Sequence, residues 1–550
     1  SLNGELGLTL YPWLGITLND VAVSNAPGFS STPLLVASHA QVRIKLLPLL
    51  NNAYEIDTIK LDGVALNLEV AGNGQNNWTL PDAEGTDGAV ERDNDSTGAS
   101  LNNLILGGVD IRNTSLLYDD QFADTHYEIH DLNMQIGELV YGQPLDITLS
   151  MNAASRSPAL NAVVTTSGTV VYDVDNERYD LNPLNLTATL TGPTVPTGST
   201  ELTLSTALAA DLDADTLSLS QLELDAFGSH LAASIEASRI STDTPAVAAS
   251  LEVNGSDLAL LFRILDQADL ARRVSSLNSR FDIRSSLTAD LRTGTLNMPA
   301  LSVNLLGSTI NGSVNAERFN TDTPAFKGEV TAGGPDLPLM LEVIGMLQGG
   351  SSGELTQYGR DMARVPDKVF RLETQFDTNL QDGTLSLPTL NSTLLGSTIT
   401  GQVAASRINT DTPRFKGNLK AQGPDLPLMM QIIGQLQAGQ EAPLNQYGRQ
   451  LRTVSNKAYS FSADFDADLQ SGDIQLPTLD ANLLGFVLNG NLNASNLQGA
   501  NDAITGQFTL RGNNLKEVLT ALDQADLAEV ADSLNLDVQI NGNSSNMRIS

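Results

Sequence analysis

A tandem repeat is the feature of this sequence that most constrains how the chain folds. Residues 394–417 are LLGSTITGQVAASRINTDTPRFKG, and residues 305–328 are LLGSTINGSVNAERFNTDTPAFKG. Two weaker copies flank this pair, and all four align without a gap on the anchor glycines Gly228, Gly307, Gly396 and Gly485. Such self-similarity indicates a repeat architecture, in which each repeat buries its apolar face only by joining a neighbour.

Each repeat contains four segments in which apolar and polar residues alternate. The first segment of the second copy places Phe281, Ile283 and Leu287 on one face and polar residues on the other. This period of two is typical of a half-buried strand, and the short turns between segments predict an antiparallel meander. The second segment changes phase at Pro299, where we expect a β-bulge.

A candidate helix follows the fourth strand of each repeat. Its predicted N-caps are Asp257, Asp336, Asp425 and Asn514. In the two best copies a proline (Pro338 or Pro427) lies in the first turn, where a missing N–H is harmless. These two helices are apolar nearly all round, which predicts burial on most sides. The sequence therefore predicts one short helix per repeat, and in these two copies a tail containing a QYGR motif follows it.

Composition excludes several classes of function. The formal net charge is −34, which argues against nucleic acid, because nucleic-acid binding needs a basic surface. The acidic residues are dispersed along polar strand faces and predict a solvated surface. The chain has no cysteine, hence no disulfides, and no apolar run approaches the ~20 residues of a membrane span. Because it starts at Ser1, we expect that an upstream signal or anchor has been removed.

No constellation of residues predicts catalysis or a cofactor. His126, Glu128 and His130 share one strand face and could hold a metal, but no second cluster completes a coordination sphere, so a solvated face is favoured. The Asp-rich segments 211–216 and 464–473 lack EF-hand spacing and predict solvated hairpins. Glycine-rich phosphate loops, HExxH and Gly-x-Ser-x-Gly are absent from the sequence. We therefore expect a protein that is not an enzyme.

The pattern leaves open what covers the apolar face of the strands. Roughly 25 strands at ~4.8 Å spacing would extend ~120 Å as one sheet, and open sheets beyond about ten strands curl or split. Spacing alone favours sandwiches, in which the meanders pack on one another and on the helices. The alternative is a trough with the apolar face inside. Only 5% of residues are aromatic and many inward positions are Gly or Ala, which would leave space in such a trough.

A family resemblance supports the trough. The segments YPWLGITLNDVAVSNAPGF (Tyr11–Phe29), LLPLL (46–50), IDTIKLDGVALNLE (56–69) and NGQNNW (Asn73–Trp78) resemble the N-terminal region of the AsmA family. The segment 109–139 resembles the next block of that family, so the resemblance covers about the first 140 residues. It implies a chorein-like N-terminal module, as in bridge-like lipid transfer proteins, and a periplasmic protein of a Gram-negative bacterium. It also implies an inner-membrane anchor helix, absent here, and a role in phospholipid movement.

The predicted fold is mostly β with short helices: elongated, curved antiparallel β-sheet repeats that form an open, taco-like apolar groove. The predicted regions are a chorein-like β module (1–80), a flexible acidic loop (81–103), an AsmA-like middle β region (104–200) and four repeats (201–278, 279–367, 368–456 and 457–550).

Apolar strand residues of the last three repeats are assigned to the groove lining: Phe281, Ile283, Leu287, Leu301, Val303, Ile310, Val314, Phe326, Val330, Leu372, Phe376, Ile399, Val403, Phe415, Leu419, Phe461, Phe465, Leu488, Leu492 and Phe508. Four helix residues are assigned to the same groove, across which we expect the helices to pass: Leu339, Ile344, Leu428 and Ile433.

The resemblance implies that phospholipid acyl chains lie in this groove and pass between the inner and outer membranes. An outer-membrane partner is a further expectation. An alternative function is an assembly factor for outer-membrane proteins that carries no lipid and binds unfolded strands by edge addition.

Overall fold

The computed structural model of the protein describes residues 2–49, 54–79, 104–140, 142–277, 279–349, 353–438, 443–499, 501–524 and 532–550. The predicted acidic loop 81–103 lies outside these ranges. The chain is mostly β, with 59% strand and 13% helix, which confirms the predicted fold class. It divides into two units, 1–271 and 272–550.

The first unit is one sheet. Its strands are β1 (Leu2–Thr9), β2 (Trp13–Val23), β3 (Leu35–Lys45), β4 (Tyr54–Ile56), β5 (Ile59–Val70), β6 (Leu104–Leu106), β7 (Val109–Asp120), β8 (Thr125–Ile136), β9 (Pro144–Arg156), β10 (Ala159–Asp173), β11 (Arg178–Thr191), β12 (Ser199–Asp211), β13 (Thr216–Ala226), β14 (Ser229–Ser238) and β15 (Ala246–Gly255). Its helices are α1 (Leu46–Leu49) and α2 (Leu258–Ile264), and α3 (Ala268–Val274) spans the boundary between the units.

The strands of this unit are not all antiparallel. β5 runs parallel to β7, with Ile59 opposite Val109, and the short β4 runs parallel to β6. A parallel pair needs a long crossover connection, which the stretch between β5 and β7 supplies. The antiparallel meander predicted for the repeats therefore does not extend to these two pairs, whereas β7 to β15 form an antiparallel meander.

The second unit is also one sheet. Its strands are β16 (Phe281–Asp290), β17 (Thr295–Leu305), β18 (Ser308–Glu317), β19 (Ala325–Gly334), β20 (Phe370–Asn379), β21 (Thr384–Leu394), β22 (Ser397–Ser406), β23 (Arg414–Gly423), β24 (Tyr459–Asp468), β25 (Asp473–Leu483), β26 (Phe486–Ser495), β27 (Ala503–Gly512), β28 (Leu534–Asn543) and β29 (Asn546–Ile549). Its helices are α4 (Leu337–Gly349), α5 (Glu354–Met362), α6 (Leu426–Ala438), α7 (Pro443–Gln450) and α8 (Leu515–Ala521), with a 3-10 turn at Leu451–Thr453.

Consecutive strands of the second unit pair antiparallel throughout, including the pairs β19–β20, β23–β24 and β27–β28 that flank the helical segments. The helices are thus inserted between strands that remain neighbours. Register shifts follow Met298, Leu387 and Leu476, at Pro299 and its counterparts in the next two repeats. These shifts confirm the bulge predicted from the change of phase.

The helical segments differ from the prediction of one helix per repeat. In the second and third repeats α4 packs on α5, and α6 packs on α7. The QYGR glycine allows this close approach, because a Cβ on Gly448 would lie 2.6 Å from the Pro427 carbonyl oxygen. From the other side, a Cβ on Gly434 would lie 2.6 Å from the Asn445 nitrogen. Each tail is therefore the second helix of a hairpin whose backbones nearly touch.

Three of the predicted caps are confirmed. The Oδ1 atoms of Asp257, Asp336 and Asp425 each accept a bond of 2.9 Å from the backbone N–H three residues later. Asn514 does not cap its helix through its side chain. Instead its Nδ2 donates to the Leu484 carbonyl oxygen at 2.7 Å. It thereby ties α8 to the β25–β26 turn.

Buried apolar side chains concentrate at the helices and at the hairpin turns beside them. Leu484, in the β25–β26 turn, is buried with Leu451 and Val454, and residues of α6 and α8 pack against this cluster. Leu484 adopts φ 58°, and the equivalent Leu306 and Leu395 adopt φ 53° and 50°. Leucine rarely adopts this left-handed conformation, so packing of its side chain must stabilise the turn.

Candidate functional site

The candidate site is the apolar face of each sheet. In the first unit, residues that lie opposite one another on neighbouring strands form a row from β1 to β15: Leu6, Leu18, Ala40, Leu61, Ile111, Met134, Leu149, Thr166, Leu186, Leu204, Leu224, Leu231 and Val253. In the second unit a row joins β16 to β28: Ile283, Val303, Ile310, Ala332, Leu372, Ser392, Ile399, Ala421, Phe461, Ala481, Leu488, Leu510 and Leu536. One uncharged polar residue interrupts each row.

The described strands of the second unit place no charged residue on the apolar face. Along each strand, residues of this face alternate with residues of the opposite face. In the described residues of β16 to β29, none of those on this face is Asp, Glu, Lys or Arg. Because a charge in a hydrocarbon environment is costly, such a face suits apolar contact. The opposite face carries the charges and is called here the polar face.

Within each unit no second sheet covers the apolar face in the described residues, since strands contact mainly their neighbours in the sheet. Most residues of the two rows are therefore partly exposed, and in the second row only Ala481 is buried. The sandwich arrangement that spacing alone favoured is wrong for these units. In a sandwich, the apolar side chains of each sheet would be buried against the other sheet.

The residues assigned to the groove lie on this face, but not with equal exposure. Phe281 is buried, Phe415 is 38% exposed, and the other assigned strand residues are partly exposed. Of the helix residues, Leu339 is buried and Ile433 is 41% exposed. The structure thus brings the assigned strand residues of β16 to β27 onto one face by register.

The helices lie at one end of the strands. The backbone N–H of Leu426, which begins α6, donates to the Lys457 carbonyl oxygen at 2.8 Å, just before β24. In the next repeat Leu515 of α8 donates in the same way to Asp532, just before β28. These bonds hold the helices beside the strand ends. We expected helices that cross the groove, and the contacts described for α6 and α8 are instead at this edge.

Glycines of the apolar face are covered by aromatic rings from the neighbouring strand. A Cβ on Gly328 would lie 2.8 Å from Phe376 Cζ, and a Cβ on Gly417 would lie 3.1 Å from Phe465 Cζ. The expectation that glycine leaves space in the lining is therefore wrong at these positions. The rings lie across the glycines and make the face smoother. Sequence analysis missed this pairing because it depends on the register of two separate strands.

The polar face is held by cross-strand charge pairs. Arg414 makes two hydrogen bonds to Asp466, at 2.9 and 3.0 Å, and Lys416 Nζ lies 3.5 Å from the same carboxylate. The bonds from Arg414 lower the pKa of Asp466. Two hollows of about 510 and 550 Å³ also lie mainly on the polar face of β21 to β26, lined largely by hydroxyl, amide and charged side chains. The sequence predicted only a solvated surface here.

The histidine cluster proposed as a possible metal site is a hydrogen-bonded network. His126 Nδ1 lies 2.8 Å from Asp119 Oδ1, and His126 Nε2 lies 2.6 Å from Glu128 Oε1. The bonds to Glu128 and Asp119 raise the pKa of His126. Both ring nitrogens are therefore engaged. Among the residues described, no group of three or more His, Cys, Asp or Glu is placed to hold a metal.

A buried polar network in the first unit was not foreseen. Ser30, Asn67 and Asn25 donate hydrogen bonds to Glu69, and the Asn77 side chain accepts from the Glu69 backbone N–H at 2.9 Å. Burial opposes ionisation of Glu69, but the hydrogen bonds prevail and lower its pKa. The NGQNNW turn is thereby fixed on the sheet. The three asparagines and the serine of this network were the signal in the sequence that could have indicated it.

Together these features define a one-sided β-repeat protein in which each unit, in the residues that the structure describes, has an apolar sheet face that no second sheet covers. The model of the AsmA family matches residues 1–549, and the chain belongs to this family, which is a family of the bacterial envelope. The match extends well beyond the first 140 residues that carried the resemblance. No curated protein and no solved structure matches the chain. Across the described residues, every helix falls short of the length and hydropathy required to cross a membrane.

Proposed function

We propose that this protein is a periplasmic, bridge-like lipid transfer protein that carries phospholipid acyl chains along its apolar face between the inner and outer membranes. The observation that carries the proposal is the partly exposed apolar row of each unit, in which only one residue is polar and none is charged. Acyl chains on this face would remove apolar surface from water, which is worth about 25 cal/mol per Å². Headgroups would stay in water at the open side.

Movement on such a face needs no chemical step. Neighbouring side chains in the row are as far apart as neighbouring strands, about 4.8 Å, so a sliding acyl chain always contacts several of them. No charged side chain interrupts the apolar face of the second unit in the described strands β16 to β29. We therefore propose transfer by diffusion, without catalysis and without a cofactor. The phospholipid delivered in this way supports the outer membrane as a barrier.

Bound lipid is the first test. The 550-residue chain is purified without stripping detergent, and an organic extract is analysed by mass spectrometry. We expect phospholipid in the extract, in proportion to protein. An extract free of phospholipid would contradict transfer and leave an assembly factor without lipid cargo as the better hypothesis.

Two neighbouring substitutions test the face itself. Val314 and Asn315 are adjacent in β18 but point to opposite faces, so Val314→Asp and Asn315→Asp add the same charge on different sides. A charge in hydrocarbon costs about 2.5–3.5 kcal/mol, which corresponds to roughly 70- to 400-fold lower occupancy. We expect Val314→Asp to reduce fluorescent phospholipid transfer between donor and acceptor vesicles by about that factor, and Asn315→Asp to leave it within about twofold of wild type. Equal effects of both would overturn the assignment of the apolar face.

A further inference from the structure

Tyrosine is placed at two separate levels of the apolar face in the first unit. Among Phe, Trp and Tyr, the described strands β7 to β15 contain only four tyrosines, which form two cross-strand pairs. Tyr118 lies opposite Tyr127, with ring centres 6.3 Å apart. Tyr172 lies opposite Tyr179, with ring centres 5.5 Å apart. These pairs are called here the first and the second tyrosine rim.

The two rims lie on the same face at opposite ends of the strands. Tyr127 lies opposite Ser155 of β9, which lies opposite Leu160 at the start of β10. Tyr172 follows twelve residues later in β10, and Thr166 of the apolar row lies midway between the two levels. Since side chains alternate along a strand, these even separations put both rims on the apolar face. At ~3.4 Å per residue, the rims are about 40 Å apart along the strand.

The face between the rims is uncharged, and the rings at its ends are the better exposed. Tyr127 is 49% exposed and Tyr172 51%. The Tyr118 hydroxyl donates to Asp120 Oδ2 at 3.0 Å, so this hydroxyl points towards the strand end. Between the two levels, the residues that β10 places on this face are all partly exposed: Ala162, Val164, Thr166, Gly168 and Val170.

The second unit uses a different aromatic residue on shorter strands. Its described strands contain nine phenylalanines and one tyrosine, Tyr459, which is buried. Strands β16 to β28 have 10 or 11 residues, whereas β10 has 15 and β11 has 14. The first unit therefore combines its longest strands with a ring that carries a hydroxyl at each end.

The spacing of the rims matches a lipid dimension. Tyrosine and tryptophan are enriched at both interfaces of a bilayer, where the ring lies in apolar surroundings and its polar group meets the headgroups. The hydrocarbon core of a bilayer is about 30 Å thick, and about 40–45 Å with both interfacial regions. The ~40 Å between the rims therefore fits two phospholipid layers placed tail to tail, and a single layer would fill about half of it. Trp78, 42% exposed and 6.4 Å from the Tyr118 ring, adds an indole to the first rim.

We propose that phospholipids lie across β8 to β11 in two files, with headgroups at the two tyrosine rims and acyl-chain ends that meet near Thr166. This inference rests on the proposed function and adds the orientation of the cargo. Each acyl chain lies along a strand, and transfer moves it sideways to the next strand, about 4.8 Å away. Lipid fits this face better than a second sheet, because a packed sheet would bury the rings and leave their hydroxyls in need of partners.

Single-tryptophan variants of the full chain test this orientation. The native tryptophans are removed as Trp13→Phe and Trp78→Phe. In this background Tyr127→Trp and Tyr172→Trp report on the two rims. Leu149→Trp reports on the centre, because Leu149 lies opposite the midpoint of β10.

Two further variants serve as controls. Leu186→Trp is a second reporter of the centre, on the other side of β10 at the same level. Val163→Trp is the control for the opposite face, because Val163 is 53% exposed and alternates with Val164 of the apolar face. Each variant is loaded by exchange from vesicles of phosphatidylcholine brominated either near the ester or near the chain end. It is separated from the vesicles before its fluorescence is measured.

We expect bromine near the chain end to quench the central reporters more than bromine near the ester, and the reverse at both rims. The ratio of the two should differ at least about twofold between centre and rims, since these levels are separated by about the length of one lipid. Val163→Trp should be quenched by neither lipid. Equal ratios at centre and rims, which indicate acyl chains that run along the row, would overturn the proposal. A rim at which the chain-end bromine quenches more strongly would overturn it in favour of a single file, and quenching of Val163→Trp as strong as at the centre would overturn the choice of face.

Lipid uptake separates this inference from the proposed function. If phospholipid co-purifies with the chain and loads it but the ratios are equal, transfer stands and only the two-file orientation fails. A chain that neither carries nor takes up phospholipid contradicts both.

Discussion

Replacing Leu484 tests how the turns hold the repeats together. Leu484 is 6% exposed and packs in a cluster with residues of α6, α8 and the 3-10 turn. Truncating a buried leucine to alanine costs about 2–5 kcal/mol. Because this cluster joins the helices of successive repeats, we expect Leu484→Ala to destabilise β26 and α8 locally by about that amount.

The backbone at Leu484 makes a second substitution more informative. A left-handed conformation costs a residue with a side chain about 1–2 kcal/mol, whereas glycine adopts it freely. Glycine in place of alanine normally destabilises a strand by roughly 0.5–1 kcal/mol. At φ 58° the relief of strain is the larger effect. We therefore expect Leu484→Gly to be as stable as Leu484→Ala or up to about 1.5 kcal/mol more stable.

Hydrogen exchange of β26 and α8 is the appropriate measurement, together with denaturant unfolding, because repeat proteins open locally and do not unfold in a single step. Leu492, a partly exposed residue within β26, is the control, and there glycine should be less stable than alanine. If Leu484→Gly is also less stable than Leu484→Ala by about 1 kcal/mol, the account of the strained turn is wrong. If Leu484→Ala changes no exchange rate, the cluster does not join the repeats.

Two other predictions follow from the sheet. Gly417→Ala would place a Cβ against the Gln402 carbonyl oxygen and 3.1 Å from Phe465 Cζ, so the backbone of β22 must shift and the ring must give way slightly. We expect slower lipid transfer and a loss of about 1–3 kcal/mol, measured by denaturant unfolding, and an unchanged stability would contradict this close packing at Gly417. The pKa of His126 is raised in the folded protein, so its protonation contributes to the free energy of unfolding. This contribution is fully present below the pKa of the unfolded chain, about 6.5, and is lost as pH rises through the pKa of the folded protein. His126→Gln should therefore lower the melting temperature at pH 5 to 6 more than at pH 9, and a constant difference across pH would contradict this linkage.

Local patterns in the sequence were sufficient to predict local structure. The alternation around Phe281 and the change of phase at Pro299 predicted strands and a bulge, because each depends on a few neighbouring residues. The caps at Asp336 and Asp425 are local in the same sense. The face on which the groove residues lie followed from the same alternation.

Features that depend on distant segments could not be predicted in this way. The parallel pair β5–β7 joins segments separated by the crossover, and no local pattern encodes it. The QYGR helix is short and polar, and it is stable only where Gly448 lets it pack against α6. The ring of Phe465 over Gly417 requires two strands separated by a helical hairpin to be in register. In each case tertiary packing, which single-segment patterns do not contain, decided the structure.

The partial exposure of the apolar row bears on how a cargo could move. A row buried under a second layer could bind nothing, and a fully exposed row would favour aggregation, since large exposed apolar patches associate in water. Here most side chains of the two rows are partly covered but remain partly accessible. The sheet can therefore be stable without cargo, and an acyl chain gains only part of the burial energy at each position. Weak, repeated contact of this kind permits an acyl chain to slide along the row.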